Sequence, residues 1–218
     1  MDNTNNNQLG IERIGKLLVR MVIPAVVAQI VNLLYNIVDR MFISSIPDIG
    51  TLALTGVGVT FPIIMLISAF SALIGMGGSP RAAIKMGQNN YEEAEEILSN
   101  SFVSLVGISV VLTIFFLIFN EKLLLIFGAS ENTIIYAKQY ANIYVIGTIF
   151  VQIALGLNPF INCQGFANIG MKTILIGAVL NILFDFIFIK IFNIGVRGAA
   201  LATVISQAAS AIWVLRFL

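Results

Sequence analysis

The chain has 218 residues, of which 58% are hydrophobic and only 11% charged, and its net charge is +1. A soluble domain carries about 25% charged residues, so a water-coated globule is excluded, and the near-zero net charge leaves no basic field for nucleic acid. The absence of histidine and the single cysteine, Cys163, exclude histidine metal centres, histidine general bases and an internal disulfide.

The first sixteen residues are polar and lack a small-residue cleavage site before the first apolar run, so residues 1–16 read as a polar cytoplasmic N-terminus and not as a signal peptide. Residues 17–218 then form a membrane unit. A transmembrane helix needs about 20 mostly apolar residues, and six stretches meet this, at 17–43, 52–76, 97–119, 132–157, 172–192 and 196–218. The expected fold class is an all-α integral membrane protein, a bundle of six transmembrane helices.

Turn signals fall between the spans. Gly77-Gly78-Ser79-Pro80 is expected to stop the second span. Asn90-Tyr91-Glu92-Glu93 has the form of a capping box opening the third, with Glu95 and Glu96 adding charge near the positive helix end. Gly128-Ala129-Ser130 separates the third from the fourth, with Ser130 as N-cap. Asn158-Pro159 is expected to end or bend the fourth, and Asn193-Ile194-Gly195 to turn the chain between the fifth and sixth.

Arg13, Lys16, Arg20, Arg81, Lys85, Lys172 and Arg216 fall on the N-terminal side of the membrane, against Arg40, Lys122, Lys138, Lys190 and Arg197 on the other. This bias, with three charges just before and within the start of the first span, places the N-terminus in the cytoplasm. The chain stops after the last span without a polar tail, which suggests a fragment or one half of a larger architecture.

A charge at the bilayer centre costs about 2.5–3.5 kcal/mol on insertion scales. Only two acids fall within the spans, Asp39 and Asp185. Gln29, Asn32, Asn36 and Asp39 recur at helical spacing, so they share one face, which must look toward other helices or a water-filled cavity. Asn181 stands one turn before Asp185. Thr203, Ser206, Gln207 and Ser210 stripe the sixth span, and Tyr136, Tyr140, Tyr144, Thr148 and Gln152 recur every four residues in the fourth. The pattern points to a polar pocket shared by the first, fourth, fifth and sixth spans.

Simpler readings stand beside this one. The Thr203 stripe can serve only as helix-to-helix hydrogen bonding worth about 0.6 kcal/mol each, and the tyrosines read first as packing or interfacial anchors. Arg40 adjoins Asp39 in sequence, but i,i+1 neighbours do not face each other on a helix, so it is expected to snorkel to the outer interface. Pro24 and Pro62 permit bending, and Gly56, Gly58, Gly75, Gly107, Gly177 and Gly198 permit close helix contact.

Several segments together carry a family resemblance. Ile23-Pro24 through Leu33-Leu34-Tyr35-Asn36-Ile37-Val38-Asp39 resembles the first helix of the MATE (multidrug and toxic compound extrusion) transporters. Leu52-Ala53-Leu54-Thr55-Gly56-Val57-Gly58 with Pro62 is similar to their second helix, and Gly77-Gly78-Ser79-Pro80-Arg81, Gly87-Gln88-Asn89 and Glu93-Ala94 to their first cytoplasmic loop. Phe127-Gly128-Ala129-Ser130 with Ala137 and Tyr140 resembles the start of helix four. Asn181-Ile182-Leu183-Phe184-Asp185 and Gly195-Val196-Arg197-Gly198-Ala199-Ala200-Leu201-Ala202-Thr203 resemble helices five and six.

The resemblance implies a twelve-helix transporter of two six-helix lobes, of which this chain is the N-terminal one, needing a C-terminal lobe or a second copy to close a pathway. It implies a cell-membrane antiporter exporting drugs or organic cations in exchange for H⁺ or Na⁺, with no other cofactor. By the same resemblance Asp39, Asn181 and Asp185 form the ion-coupling site and the possible Na⁺ site, completed by Tyr140, Asn158 and Thr203. Gln29, Asn32 and Asn36 line the substrate pathway, and Pro24 is the bending point. The alternative of related architecture is a flippase or exporter of lipid-linked or polysaccharide substrates, which would need a cationic cavity. An intramembrane aspartyl protease would need a Gly-x-Gly-Asp motif that the chain lacks, and a non-transporting interaction lobe is the remaining alternative.

Overall fold

The computed structural model describes residues 13–218, so most of the expected N-terminal segment 1–16 lies outside the described residues. The described chain forms α1 (Ile14–Ser44), α2 (Gly50–Val59), α3 (Phe61–Gly87), α4 (Tyr91–Ile126), α5 (Ile134–Ile146), α6 (Thr148–Cys163), α7 (Ala167–Asp185) with a π-helical continuation Phe186–Ile191, and α8 (Val196–Phe217). Five helical stretches are long and apolar enough to cross a membrane, and α5 with α6 makes a sixth crossing bent by 59°. The second span is α2 plus α3.

The six crossings alternate in direction, which gathers the α1–α2, α4–α5 and α7–α8 connections at one end of the bundle. The α3–α4 and α6–α7 connections lie at the other, with the start of α1. Helix α6 is the central element, packed on α3, α4 and α8, and α1 lies along α7 at the edge. Two apolar cores form. One, toward the α1–α2 end, holds Ile43, Ala53, Ile63, Val145, Ile189 and Ala199; the other, toward the opposite end, holds Leu105, Leu157, Phe160, Ile161 and Val214. Many large apolar side chains are exposed, including Leu33, Val111, Ile118 and Ile212, as expected of a surface whose solvent is lipid.

The six expected spans are all present, but several helices outrun them. Helix α4 has 36 residues, about 54 Å of helix against a hydrocarbon core of about 30 Å. It therefore projects beyond the membrane, carrying the glutamates at its start. There Asn90 Oδ1 accepts from Glu93 N at 3.2 Å, and Asn90 Nδ2 donates to Glu93 Oε2 at 2.8 Å. This is the expected cap, closed through the Asn side chain rather than its backbone N–H. The Asn193–Gly195 turn also forms, with positive φ at both residues.

Three expectations about breaks are corrected. Gly77-Gly78-Ser79-Pro80 does not stop the second span, because α3 continues through Pro80 to Gly87. Gly78 is there for packing, since a Cβ on it would meet Phe160 Cζ at 2.7 Å and Ser101 Oγ at 2.8 Å. Asn158-Pro159 does not end the fourth span, as α6 runs on to Cys163, and the 59° bend of that span lies at Gly147. Ser130 is not the residue preceding the next helix; Thr133 is, and its Oγ1 accepts from Ser130 N at 2.9 Å. Of the two prolines, Pro24 is buried inside an uninterrupted α1, while Pro62 occupies the first turn of α3, where no helical hydrogen bond is lost.

The expected close contacts hold at Gly56, Gly75, Gly177 and Gly198, whose Cβ positions would fall on neighbouring helices, but Gly58 and Gly107 have nothing within 4 Å. One buried polar clamp ties α3 to α6. Gln152 Nε2 donates to Ile67 O at 3.0 Å and its Oε1 accepts from Ser71 Oγ at 2.8 Å. Gln152→Leu removes both bonds and leaves the Ser71 hydroxyl without its cross-helix partner. It is expected to lower stability by about 1–2 kcal/mol, read as a drop in the melting temperature of the detergent-solubilised protein.

Candidate functional site

The polar residues of four spans converge near the α1–α2 end of the bundle. Asp39 sits a little over one turn before the end of α1, and Asp185 closes the α-helical part of α7 where the backbone widens into the π-helical turns. A π-turn offsets the register of the helix and is frequent at functional sites. Here it begins at the residue after the aspartate. Lys190, within that π segment, donates to Ser45 O at 3.1 Å, which ties the far end of α7 to the end of α1.

The two carboxyl groups are close enough to interact directly. Asp185 is fully buried, and the Oδ1 atoms of both aspartates are buried without a hydrogen-bond partner. Two facing carboxylates repel, so a shared proton or a cation between them would relieve the pair. Asn181, one turn earlier on α7, is satisfied at both ends when its Nδ2 donates to Asp185 Oδ2 at 3.2 Å and its Oδ1 accepts from Thr203 N at 3.3 Å. The amide thus bridges the Asp185 carboxylate and the α8 backbone. Thr203 Oγ1 also donates to Ala199 O at 3.0 Å and stands 3.4 Å from the Tyr140 hydroxyl of α5.

A cavity of about 200 Å³ opens onto this cluster, lined by Tyr35, Asn36, Asp39, Arg40, Leu54, Val57, Phe61, Tyr140, Tyr144, Thr203 and Gln207 among others. Its walls are aromatic, with Tyr140 and Tyr144 stacked at 6.1 Å between centroids and the Arg40 guanidinium 5.8 Å from the Phe61 ring centre. The donor set suits a hard cation, because two carboxylates, an amide and hydroxyls supply only oxygen ligands.

The structure therefore brings together Asp39, Asn181, Asp185, Thr203 and Tyr140. Asn158 stands apart. Its Nδ2 donates to Gly170 O at 3.3 Å, and Gly170 precedes Asn181 by about 16 Å along α7. Asn36 lines the cavity and donates to Asn32 O at 2.6 Å, whereas Asn32 is outside the lining and Gln29 is exposed.

The expected four-span pocket is corrected by the lining from α2 and α3. Leu54, Val57 and Phe61 are apolar, so no polar stripe announced them. Tyr35 was also missed, and Arg40, expected only to snorkel to the outer interface, lines the cavity as well, for a related reason. They flank the Asn36–Asp39 stripe, and the cavity is wide enough to take in residues on both sides of it. The tyrosine series divides at Gly147. Tyr140 and Tyr144 face the cavity, while Gln152 belongs to the α3 clamp. The α8 stripe divides too, with Thr203 and Gln207 on the cavity and Ser210 donating to Thr173 O on α7 at 3.1 Å.

The MatE family model matches residues 24–187, three quarters of the chain. Multidrug export protein MepA of Staphylococcus haemolyticus is 27% identical over 195 residues, which cover 89% of this chain and 43% of that protein. MepA of Staphylococcus aureus is 24% identical over 198 residues, covering 91% and 44%. The chain thus spans somewhat under half the length of the curated relatives it matches. Among solved structures, MATE in the bent conformation superposes with a TM-score of 0.90 at 28% identity, over 100% of this chain and 48% of that one. An outward-facing multidrug resistance MATE family transporter of the MOP superfamily gives 0.90 at 29% identity, over 100% and 48%. The MepA relatives are multidrug export proteins and the second structure is a multidrug resistance transporter, which agrees with the transporter reading and not with the protease one. The aspartate cavity thus sits in a membrane chain that belongs to the MATE family and has the architecture of one of its six-helix lobes.

Proposed function

We propose that this chain is the N-terminal lobe of a cell-membrane antiporter that exports organic cations or other drugs in exchange for H⁺ or Na⁺. The observation that carries the reading is the pair of facing aspartates with unpartnered oxygens at an aromatic-walled cavity. The coupling ion, as substrate, binds Asp39 and Asp185 with help from Asn181, Thr203 and Tyr140. Binding removes the negative charge that attracts a cationic drug. The buried Pro24 is the point at which α1 bends, and the lobe works against a second lobe, in the manner of repeat-built transporters. The N-terminus faces the cytoplasm, which puts the cavity in the outer half of the membrane. A flippase for lipid-linked sugars would need a strongly cationic cavity, and Arg40 is the one cation among the lining residues.

The test is efflux of a fluorescent organic cation from energised cells making this chain with a partner lobe. Collapse of the proton gradient or removal of Na⁺ is expected to stop efflux, and whichever does so identifies the ion. Efflux indifferent to both would end the antiporter reading.

A further inference from the structure

A second cavity, of about 590 Å³, lies at the same end of the bundle but on the outside of α4, α5 and α8, lined by Glu121, Ile134, Ile135, Lys138, Gln139, Asn142, Ile143 and Arg197. Its polar groups are biased toward donors. Glu121, its one acid, is bound to Lys138 at 2.7 Å. Asn142, which lines the cavity, has its Oδ1 occupied by Asn120 Nδ2 and its amide nitrogen without a hydrogen-bond partner among the described residues. Arg197 has no ion-pair partner among the described residues, so the cavity carries one uncompensated positive charge. Ile135 is 55% exposed and forms an apolar wall with Ile134 and Ile143. A guanidinium and an amide donor above an exposed apolar slope, on a helix end at the membrane boundary, match one ligand chemistry. That ligand has an anionic phosphodiester at its head and acyl chains below.

We propose that this cavity is a binding site for an anionic phospholipid, with Arg197 and Asn142 holding the phosphate and the isoleucines the upper acyl chain. Arginine suits the role because its planar fork meets phosphate through two hydrogen bonds.

The test is native mass spectrometry of the purified chain in detergent, titrated with phosphatidylglycerol or with phosphatidylcholine. The wild-type chain is expected to retain one phosphatidylglycerol with about tenfold preference over phosphatidylcholine, the size of effect one unpaired charge produces at a half-wet boundary. Arg197→Gln should abolish that preference and Arg197→Lys restore part of it, while Lys122→Gln, outside the cavity, should leave it intact. Circular dichroism confirms that each variant remains helical. Equal retention by Arg197→Gln and wild type would overturn the proposal. Displacement of the bound lipid by millimolar inorganic phosphate would overturn the lipid assignment and leave a simple anion site. Because the readout is lipid retention, its outcome is independent of whether the aspartate cavity transports anything.

Discussion

Asp185→Asn is expected to reduce coupled efflux to background at matched expression, and Asp39→Asn to do the same. The amide has nearly the shape of the carboxyl, so packing around the fully buried Asp185 is kept while the charge and the ion-binding oxygen are lost. The two groups interact directly, and in the proposed mechanism they handle one ion as a unit. Their effects should not add. The double variant is expected to be no worse than either single one, whereas independent acids would give compounding losses. Binding of a fluorescent organic cation by the purified protein supplies a second readout. Each single substitution should weaken it by about tenfold, the effect of one charge at an effective dielectric between water and protein interior. Efflux above half the wild-type rate in either single variant would make that aspartate structural. Retained binding with lost efflux would instead assign it to ion coupling alone.

Asp39 and Asp185 were legible in the sequence because a lipid solvent makes every intramembrane charge conspicuous, and Asn181 because it stands one turn before an acid. Without the family resemblance, Thr203 and Tyr140 were legible only as members of polar stripes. Those stripes also contained Ser210 and Gln152, which the structure assigns to helix-to-helix hydrogen bonds. A stripe records that a face avoids lipid, not whether that face meets a cavity or a neighbouring helix. The contribution of α2 and α3 was illegible for the opposite reason: Leu54, Val57 and Phe61 look the same in sequence whether they meet lipid, protein or a ligand.

Breaks were read least well. Pro159 and the Gly77-Gly78 pair are breakers by propensity in water, but within this bundle the helix runs through Gly77, and Gly78 and Pro159 are points of close approach. Gly147, where the fourth span bends by 59°, carries no signal that distinguishes it from the other glycines. Its reason is tertiary, since a Cβ there would fall 2.5 Å from Val204 Cγ2 on α8.

That distinction between breaker and contact glycines has a large consequence at Gly75. A Cβ on Gly75 would lie 2.5 Å from Gly156 O and 3.1 Å from Pro159 Cγ, so α3 and α6 meet there backbone to backbone. Gly156 is itself hemmed in from the other side, with its own Cβ position 2.6 Å from Leu105 Cδ2. A leucine at 75 cannot be absorbed by a side-chain rotation, because its obstacle is a carbonyl of the central helix. Helix α6 would have to move into α4, and the Gln152 clamp would open with it. Overpacking of this kind costs about 1–3 kcal/mol or more, set against a gain of about 1 kcal/mol from replacing glycine in a helix. Gly75→Leu is therefore expected to give little monodisperse protein on size-exclusion chromatography and a melting temperature well below wild type. Gly107→Leu, on α4 with nothing within 4 Å, realises only the propensity gain and should be neutral or slightly stabilising. If both variants behaved alike, glycine in these spans would be acting through helix propensity. A loss confined to Gly75→Leu would show instead that the close approach of α3 and α6 holds the lobe together.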